Sequence, residues 1–218
     1  VIEQYESMFS GVFYDRFIRG LWVVAEGLVY PMFDERNITD EVPESGEYYM
    51  SCDYGTLNPF SAGLWCWNGK AATRVREYYY SGRDERSNKT DEEYYIKLEK
   101  LAGNLPVKSV VIDPSAASFI EVIRRHKRFR VQKAVNDVIP GIATTARYIQ
   151  DGTIKVCRSC KDAIREFGLY RWDEKSTEDK PIKENDHAMD DIRYFTMTIL
   201  RHKVRKAGQQ QYIPLWER

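Results

Sequence analysis

Three aspartates stand where the chain could gather carboxylates for metal-assisted chemistry. Asp53 closes the strand-like run Tyr48-Tyr49-Met50-Ser51-Cys52-Asp53 and is followed by Tyr54-Gly55. Asp113 ends the apolar run Ser109-Val110-Val111-Ile112-Asp113 and precedes Pro114. Asp190 lies in the helix-like run Asp186-His187-Ala188-Met189-Asp190-Asp191-Ile192-Arg193-Tyr194. A carboxylate at the end of a buried strand is costly unless something compensates its charge. A divalent cation does so, and hard cations such as Mg2+ choose oxygen ligands. Two such ions side by side can hold the attacking and leaving oxygens of a phosphodiester. Taken singly, each aspartate also reads as a turn former or a solvated helix residue. Their combination points to a site for Mg2+ or Mn2+.

Asp190 and Asp191 compete for the third ligand position. Neighbours on a helix point about 100° apart, so one of them faces a site squarely. His187 is three residues from Asp190 and shares its face, which favours Asp190. Asp186 lies one turn earlier, and both it and Asp191 are candidates to support the ligands. Asp191→Asn is accordingly expected to stay active. His187 reads equally as a catalytic or metal-adjacent group and as a hydrogen-bonding structural one. Candidates to meet phosphates are Lys133, Arg147, Lys175, Lys180 and Lys183, each of which also reads as an ordinary surface charge. The segment 173–185 mixes such lysines with Asp173, Glu174, Glu178, Asp179 and Glu184, which suits a mobile element more than a fixed clamp. His126 and His202 sit in basic helix ends and are expected to be solvated.

The elements that must position these residues begin at residue 46. Strands are expected at 47–54, 60–67 and 71–80, the last two joined at Asn68-Gly69 by a two-residue hairpin. Thr90-Asp91-Glu92-Glu93 is a capping box, starting a helix that Gly103 stops after Ala102. Then follow strand 107–112, helix 118–127, strand 129–134, helix 137–151, strand 153–157 and helix 161–172. A charged loop leads to a last helix over 186–201. Hairpins first and helix–strand alternation afterwards imply an α/β fold, a mixed central sheet with helices on both faces. In it Asp53 and Asp113 would end adjacent strands and Asp190 would arrive on the last helix, as in the ribonuclease-H-like fold.

The bulk numbers agree with a domain of this size and exclude little else. The chain has 218 residues, 43% of them hydrophobic, enough for a substantial core. No apolar run reaches the ~18 residues needed to span a membrane. Lys plus Arg and Asp plus Glu both total 33, so any contact with nucleic acid must rest on local charge. Cys157-Arg158-Ser159-Cys160 has no second pair at zinc spacing, because Cys52 and Cys66 do not form one. All four are expected to be buried, reduced thiols. The start Val1-Ile2-Glu3-Gln4 has no initiator Met and no signal pattern, and reads as internal to a longer protein.

Five pieces taken together resemble a known family. They are Gly20-Leu21-Trp22-Val23 with Glu26-Gly27-Leu28-Val29-Tyr30-Pro31; Asp53-Tyr54-Gly55 with Asn58-Pro59; Val111-Ile112-Asp113-Pro114-Ser115-Ala116; Asn136 and Val138 with Gly141-Ile142; and Asp186-His187, Asp190 and Arg193-Tyr194. In this order they resemble the C-terminal nuclease domain of the large terminase subunit of tailed double-stranded DNA bacteriophages. The likeness spans roughly residues 10–201. The resemblance implies a connector over 1–45 from a missing N-terminal packaging ATPase, a nuclease domain over 46–202 and a basic tail over 203–218. It implies that Asp53, Asp113 and Asp190 are the metal-binding catalytic acids, with His187 beside them. Some relatives carry Glu at the second position, so Asp113 would place its oxygens slightly differently.

The implied activity is cleavage of concatemeric viral double-stranded DNA at the start and end of genome packaging, by two-metal hydrolysis with little sequence preference. The implied partners are double-stranded DNA, the ATPase domain of the same polypeptide, the portal protein and the small terminase subunit, in the host cell cytoplasm. Two other classes fit the same residues: a ribonuclease-H-like transposase or junction resolvase, and a non-catalytic DNA-binding assembly module.

Overall fold

In a computed structural model of the chain, the structure describes residues 26–55, 58–83, 85–176 and 178–210. The piece Gly20-Leu21-Trp22-Val23, most of the expected connector and the last eight residues lie outside them.

Seven strands form one sheet: β1 (Ile38–Thr39), β2 (Glu47–Asp53), β3 (Phe60–Trp67), β4 (Ala72–Tyr80), β5 (Val107–Ile112), β6 (Val131–Lys133) and β7 (Ile154–Cys157), in the order β1-β7-β4-β3-β2-β5-β6. β3 is antiparallel to both its neighbours, β2 and β4, and every other pairing is parallel. The sheet is therefore mixed, and six strands point their C-terminal ends to one edge. The helices are α1 (Asp91–Ala102), α2 (Ala117–His126), α3 (Val138–Gln150), α4 (Lys161–Phe167), α5 (His187–Phe195) and α6 (Arg201–Gln210). A π-helical turn, Thr196–Leu200, joins α5 to α6.

Strand alternation sends helices to both faces. On one face Phe60 stacks on Tyr94 of α1 at 4.3 Å between ring centroids and meets Phe119 of α2 edge-on. On the other, Trp65 stacks on Phe195 of α5 at 4.3 Å. This is the ribonuclease-H-like arrangement. All eight residues of β3 are buried, as a strand covered on both faces must be. The four cysteines are buried and free, and no described helix is long and apolar enough to cross a membrane.

Several elements differ from the sequence reading for physical reasons. The β3–β4 connection has four residues rather than two. The Asn68 side chain accepts from the N–H groups of Lys70 and Ala71, at 3.0 and 2.9 Å, and closes a wider turn. α4 stops at Phe167, because the N–H groups of Leu169 and Tyr170 both fold back to the Glu166 carbonyl. Residues 171 and 172 then bridge Leu28 and Pro181 in place of a further helical turn. The last helix continues past 201 to Gln210, through the start of the expected tail. The Thr90 capping box is present in both halves.

Residues 28–39, which the sequence assigned to a connector, pack into the fold. Tyr30 is buried among Phe167 and Tyr170. β1 pairs with β7 at the sheet edge. Buried Asn37 ties this segment down: its Nδ2 donates to the carbonyls of Ile149 (2.7 Å) and Ile154 (3.3 Å). Asn37→Ala should lower the unfolding free energy by about 1–3 kcal/mol, since it removes two hydrogen bonds from a buried amide to main-chain carbonyls. Urea titration measures this, and a parental midpoint would show that the edge strand is held some other way.

Candidate active site

Adjacent parallel strands bring the first two acids together. β2 and β5 run side by side with Cys52 opposite Ile112, so Asp53 and Asp113 leave the sheet at neighbouring points of one edge. The N-terminus of α5 crosses the same edge, carrying His187 and Asp190, with Asp186 immediately before it. One cavity of about 600 Å3 is lined by Asp53, Asp113, Asp186, His187, Asp190, Lys183, Arg83 and Tyr194 among others. A second, of about 520 Å3, continues from it past Arg83, Lys183 and His187 toward Arg165 and Tyr80.

The start of α5 is fixed by a buried carboxylate. Glu166 accepts from the Ala188 N–H (2.7 Å) and from the Tyr79 hydroxyl (2.6 Å). A negative group there also meets the positive end of the helix dipole. Asn185, just before the helix, is left-handed with φ 53°, a conformation that Asn tolerates better than most residues.

Each acid in the cavity is compensated differently. His187 Nδ1 lies 2.8 Å from Asp53 Oδ2. Burial pushes the Asp53 carboxyl up to about 6; the bond from His187 opposes this and the nearby Asp190 reinforces it. Burial works against ionisation of Asp113 too. There it is outweighed by hydrogen bonds from Ser115, Asn136 and Tyr194, which hold the carboxyl below its ordinary value. The contacts include the Ser115 N–H at 2.7 Å and Asn136 Nδ2 at 3.1 Å. Burial lifts the Asp186 carboxyl, against the pull of His187.

Asp190 is held from two sides. Arg193, one turn on, places Nη2 at 2.8 Å and Nε at 3.3 Å from Oδ1. The Arg193 stem lies over Gly141, where any Cβ would come within 2.7 Å of it. On the open side Lys183 Nζ lies 3.7 Å from Asp190 Oδ2 and 3.7 Å from Asp186 Oδ2. Burial pulls the His187 imidazole down, but Asp53, Asp186 and Glu166 together raise it above its ordinary value.

Asp191 faces away from the cavity, into the sheet, and is fully buried. Arg74 Nη1 and Nη2 reach its two oxygens at 2.5 and 3.1 Å. The Ser51 hydroxyl donates to Oδ1 at 2.9 Å and the Ser61 hydroxyl to Oδ2. Burial opposes the charge on Arg74, yet Asp191 and Glu77 keep the guanidinium firmly protonated. The expectation that Asp191→Asn is silent therefore fails on physical grounds: it would halve a buried ion pair, and that is strongly destabilising.

The basic candidates separate. Lys183 lines both cavities. Lys133 pairs with Ile112 at the same sheet edge but is exposed and does not line the main cavity. Arg147 lies over Tyr148 at the end of α3. Lys175 and Lys180 are exposed and line neither cavity. His126 stacks on Tyr95 and pairs with Glu92 rather than standing free in solvent.

The sequence reading did not single out Arg83, Arg165 or Arg74. Arg83 and Arg165 were not signalled by any spacing. Arg74 was, by an arginine at an inward position of a strand whose neighbours present Ser51 and Ser61. Among the described residues, no three His, Cys, Asp or Glu side chains stand close enough to form a ready-made metal cage. The oxygens that would form one are engaged by His187, Arg193, Asn136 and Lys183.

No protein-family model matches the chain. It is 26% identical over 132 residues to the large terminase subunit of Escherichia phage T5, a match covering 58% of this chain and 30% of that protein. The large terminase of the thermophilic bacteriophage D6E, solved with ADP, is 47% identical with a TM-score of 0.88, over 92% of this chain and 52% of that one. The nuclease domain of the P22 large terminase shares the fold at 19% identity and TM-score 0.64, over 83% of this chain and 97% of that one. The nuclease domain of the SPP1 large terminase, solved with bound Mn, does so at 15% and 0.53, over 79% and 97%. The chain thus spans about half of the D6E protein, and almost all of each separate nuclease domain. Sequence and fold agree in this likeness: the chain is similar to about half of a phage large terminase and shares the fold of the separately solved nuclease domains.

Proposed function

We propose that the chain is a divalent-metal-dependent endodeoxyribonuclease that cuts double-stranded DNA at the start and end of phage genome packaging. The observation that carries this reading is the convergence of Asp53, Asp113, Asp186 and Asp190 on one cavity at the C-terminal edge of the sheet. The cavity offers carboxylate oxygens and no thiol, a donor set that suits Mg2+ or Mn2+ rather than a soft metal. The SPP1 relative holds Mn, which supports the same choice.

Asp53, Asp113 and Asp190 are the residues that would hold the metal. Ions bound there would lower the pKa of a water, aim it at phosphorus and stabilise the leaving oxygen. The chain's own groups set the conditions. Asp113 is held ionised. Asp53 holds its proton more tightly than an ordinary carboxyl, and His187 Nδ1 lies 2.8 Å from it. Arg193 occupies Asp190 Oδ1 and leaves Oδ2 to the cavity, where Lys183 must swing aside. Lys183 and Arg83, on the rim shared by the two cavities, would then face phosphates, with Lys133, Arg147 and Lys180 further out on the same reading.

The DNA-packaging setting of the relatives extends the proposal to partners. These are the packaging ATPase of the same polypeptide, the portal protein and the small terminase subunit, in the host cytoplasm.

Plasmid digestion with Mg2+, Mn2+, Ca2+ or EDTA tests the activity. Nicking and linearisation are expected with Mg2+ and Mn2+, little turnover with Ca2+, and none in EDTA. Equal digestion in EDTA would sink the reading. Asp53→Asn, Asp113→Asn and Asp190→Asn should each cut cleavage on the order of a thousandfold, the scale of losing several kcal/mol of metal-supplied stabilisation. Lys183→Gln should lower the Mn2+ concentration for half-maximal cleavage severalfold, because the ammonium and the metal compete for Asp190. A raised requirement would mean that Lys183 helps to build the site instead.

The pH behaviour follows from two upward shifts. Asp53 and His187 both hold protons more tightly folded than unfolded, so the stability they contribute is greatest in acid and is lost as pH rises through the folded values. In EDTA the melting temperature should therefore rise between about pH 6.5 and about pH 4.5. Asp53 alone is worth on the order of 2–3 kcal/mol across its whole titration. Asp53→Asn should flatten that rise. Metal competes with the Asp53 proton, so cleavage should fall as pH drops through about 6, and added Mn2+ should move the fall to lower pH. A metal-free melting temperature that is flat over this range would remove the assignment of Asp53 as the perturbed acid.

A further inference from the structure

We infer that Arg74 is a positioning residue for the site: by gripping Asp191 it fixes the rotation of α5 against the sheet and so aims Asp190 and His187 at Asp53. The inference rests on the nuclease reading above. Asp191 is the point where four elements meet. Its oxygens take Ser51 of β2, Ser61 of β3 and both ends of the Arg74 fork from β4, while its own backbone belongs to α5. Ser51 is two residues before Asp53 on the same strand, and its oxygen also accepts from Trp65 Nε1 at 2.8 Å. Trp65 in turn stacks on Phe195, two turns along α5. One carboxylate thus couples the strand that carries Asp53 to the helix that carries Asp190.

The two aspartates are consecutive, so the direction of one fixes the direction of the other, about 100° away. A planar guanidinium bound through two nitrogens resists rotation in a way that a single point charge does not. The fold makes room for it. A Cβ at position 63 would fall within the Arg74 guanidinium, so β3 carries Gly63 where that side chain crosses it. Apolar contacts alone would hold α5 on the sheet, but they are non-directional and leave it free to roll.

The test compares Arg74→Lys and Ser61→Ala with the parent. Arg74→Lys keeps the charge and loses the fork, and Ser61→Ala removes a single bond to Asp191. Asn37→Ala, a destabilising change remote from the cavity, is the control for stability. The readouts are the melting temperature in EDTA, Mn2+ affinity by calorimetry, and kcat and KM for plasmid cleavage well below melting. Misplacing a reacting group by about 1 Å can cost on the order of a hundredfold. Arg74→Lys is therefore expected to weaken Mn2+ binding and kcat by at least about tenfold, with KM for DNA nearly unchanged. Ser61→Ala should do the same by a few fold, and Asn37→Ala should melt earlier with parental Mn2+ affinity and kcat.

If Arg74→Lys and Ser61→Ala melt earlier but bind Mn2+ and cleave like the parent, Arg74 is structural only and the inference is overturned. If Arg74→Lys fails to fold, Ser61→Ala decides by the same criterion. A parent that neither binds Mn2+ nor cuts removes the nuclease reading and this inference with it. A parent that does both, beside parental variants, removes the inference alone.

Discussion

Four carboxylates share one cavity, and their mutual repulsion is the constraint that organises the structure around them. A buried acid must be protonated, paired or supplied with donors, and the chain uses all three means within a few residues. Asp53 leans toward protonation, with His187 at 2.8 Å. Asp113 stays charged on donors from Ser115, Asn136 and Tyr194. Asp190 is paired with Arg193 on one oxygen only. Lys183 stands between Asp186 and Asp190 as an exposed, removable counter-charge. Each cavity acid thus has a partner of its own, and the one on Asp190 Oδ2 is an exposed lysine rather than a buried group.

Topology supplies the cavity at no cost to the core. All strands but β3 run one way, so the ends of β2 and β5 open at the same edge, where a parallel sheet offers a crevice rather than a covered face. The core remains apolar immediately behind it: Cys52 and Ile112, the residues before the two acids, are fully buried. The transition from full burial to the cavity lining therefore takes one residue on each strand. Short side chains suit that geometry, and Asp at position 113 keeps its oxygens close to the Ser115 N–H and the Asn136 amide that donate to them.

The parts of this arrangement legible in the sequence were those written locally. The Thr90 capping box, the apolar run into Asp113 and the helical spacing of His187, Asp190 and Arg193 each depend on neighbours within a turn. They predicted the elements, the mixed sheet and the residues that now line one cavity. What could not be read was non-local. The two residues of β1 have no pattern of their own and become a strand only because β7 is beside them. α4 reads as continuing to 172, since nothing in its sequence shows that Leu28 and Pro181 will capture residues 171 and 172. Arg83 is one of several charges in a polar loop until the fold places it on the rim. Arg74 was the missed residue with a signal: an inward arginine in a buried strand demands a buried acid, and Asp191 was the unexplained one.

The pair Asp190-Asp191 shows why the two kinds of legibility must be combined. Helical geometry alone says that these carboxylates point in different directions, and the tendency is to treat the one off the site as spare. Burial reverses that judgement. Asp190 lines the cavity and turns Oδ2 toward Lys183, whereas Asp191 is fully buried with both oxygens engaged. Each has its own arginine, Arg193 and Arg74, and each arginine lies against a glycine, Gly141 and Gly63, where a side chain would displace it. Two neighbouring aspartates thus point in different directions, one into the cavity and one into the sheet. The helix that joins them is the element through which stability in the sheet becomes geometry in the cavity.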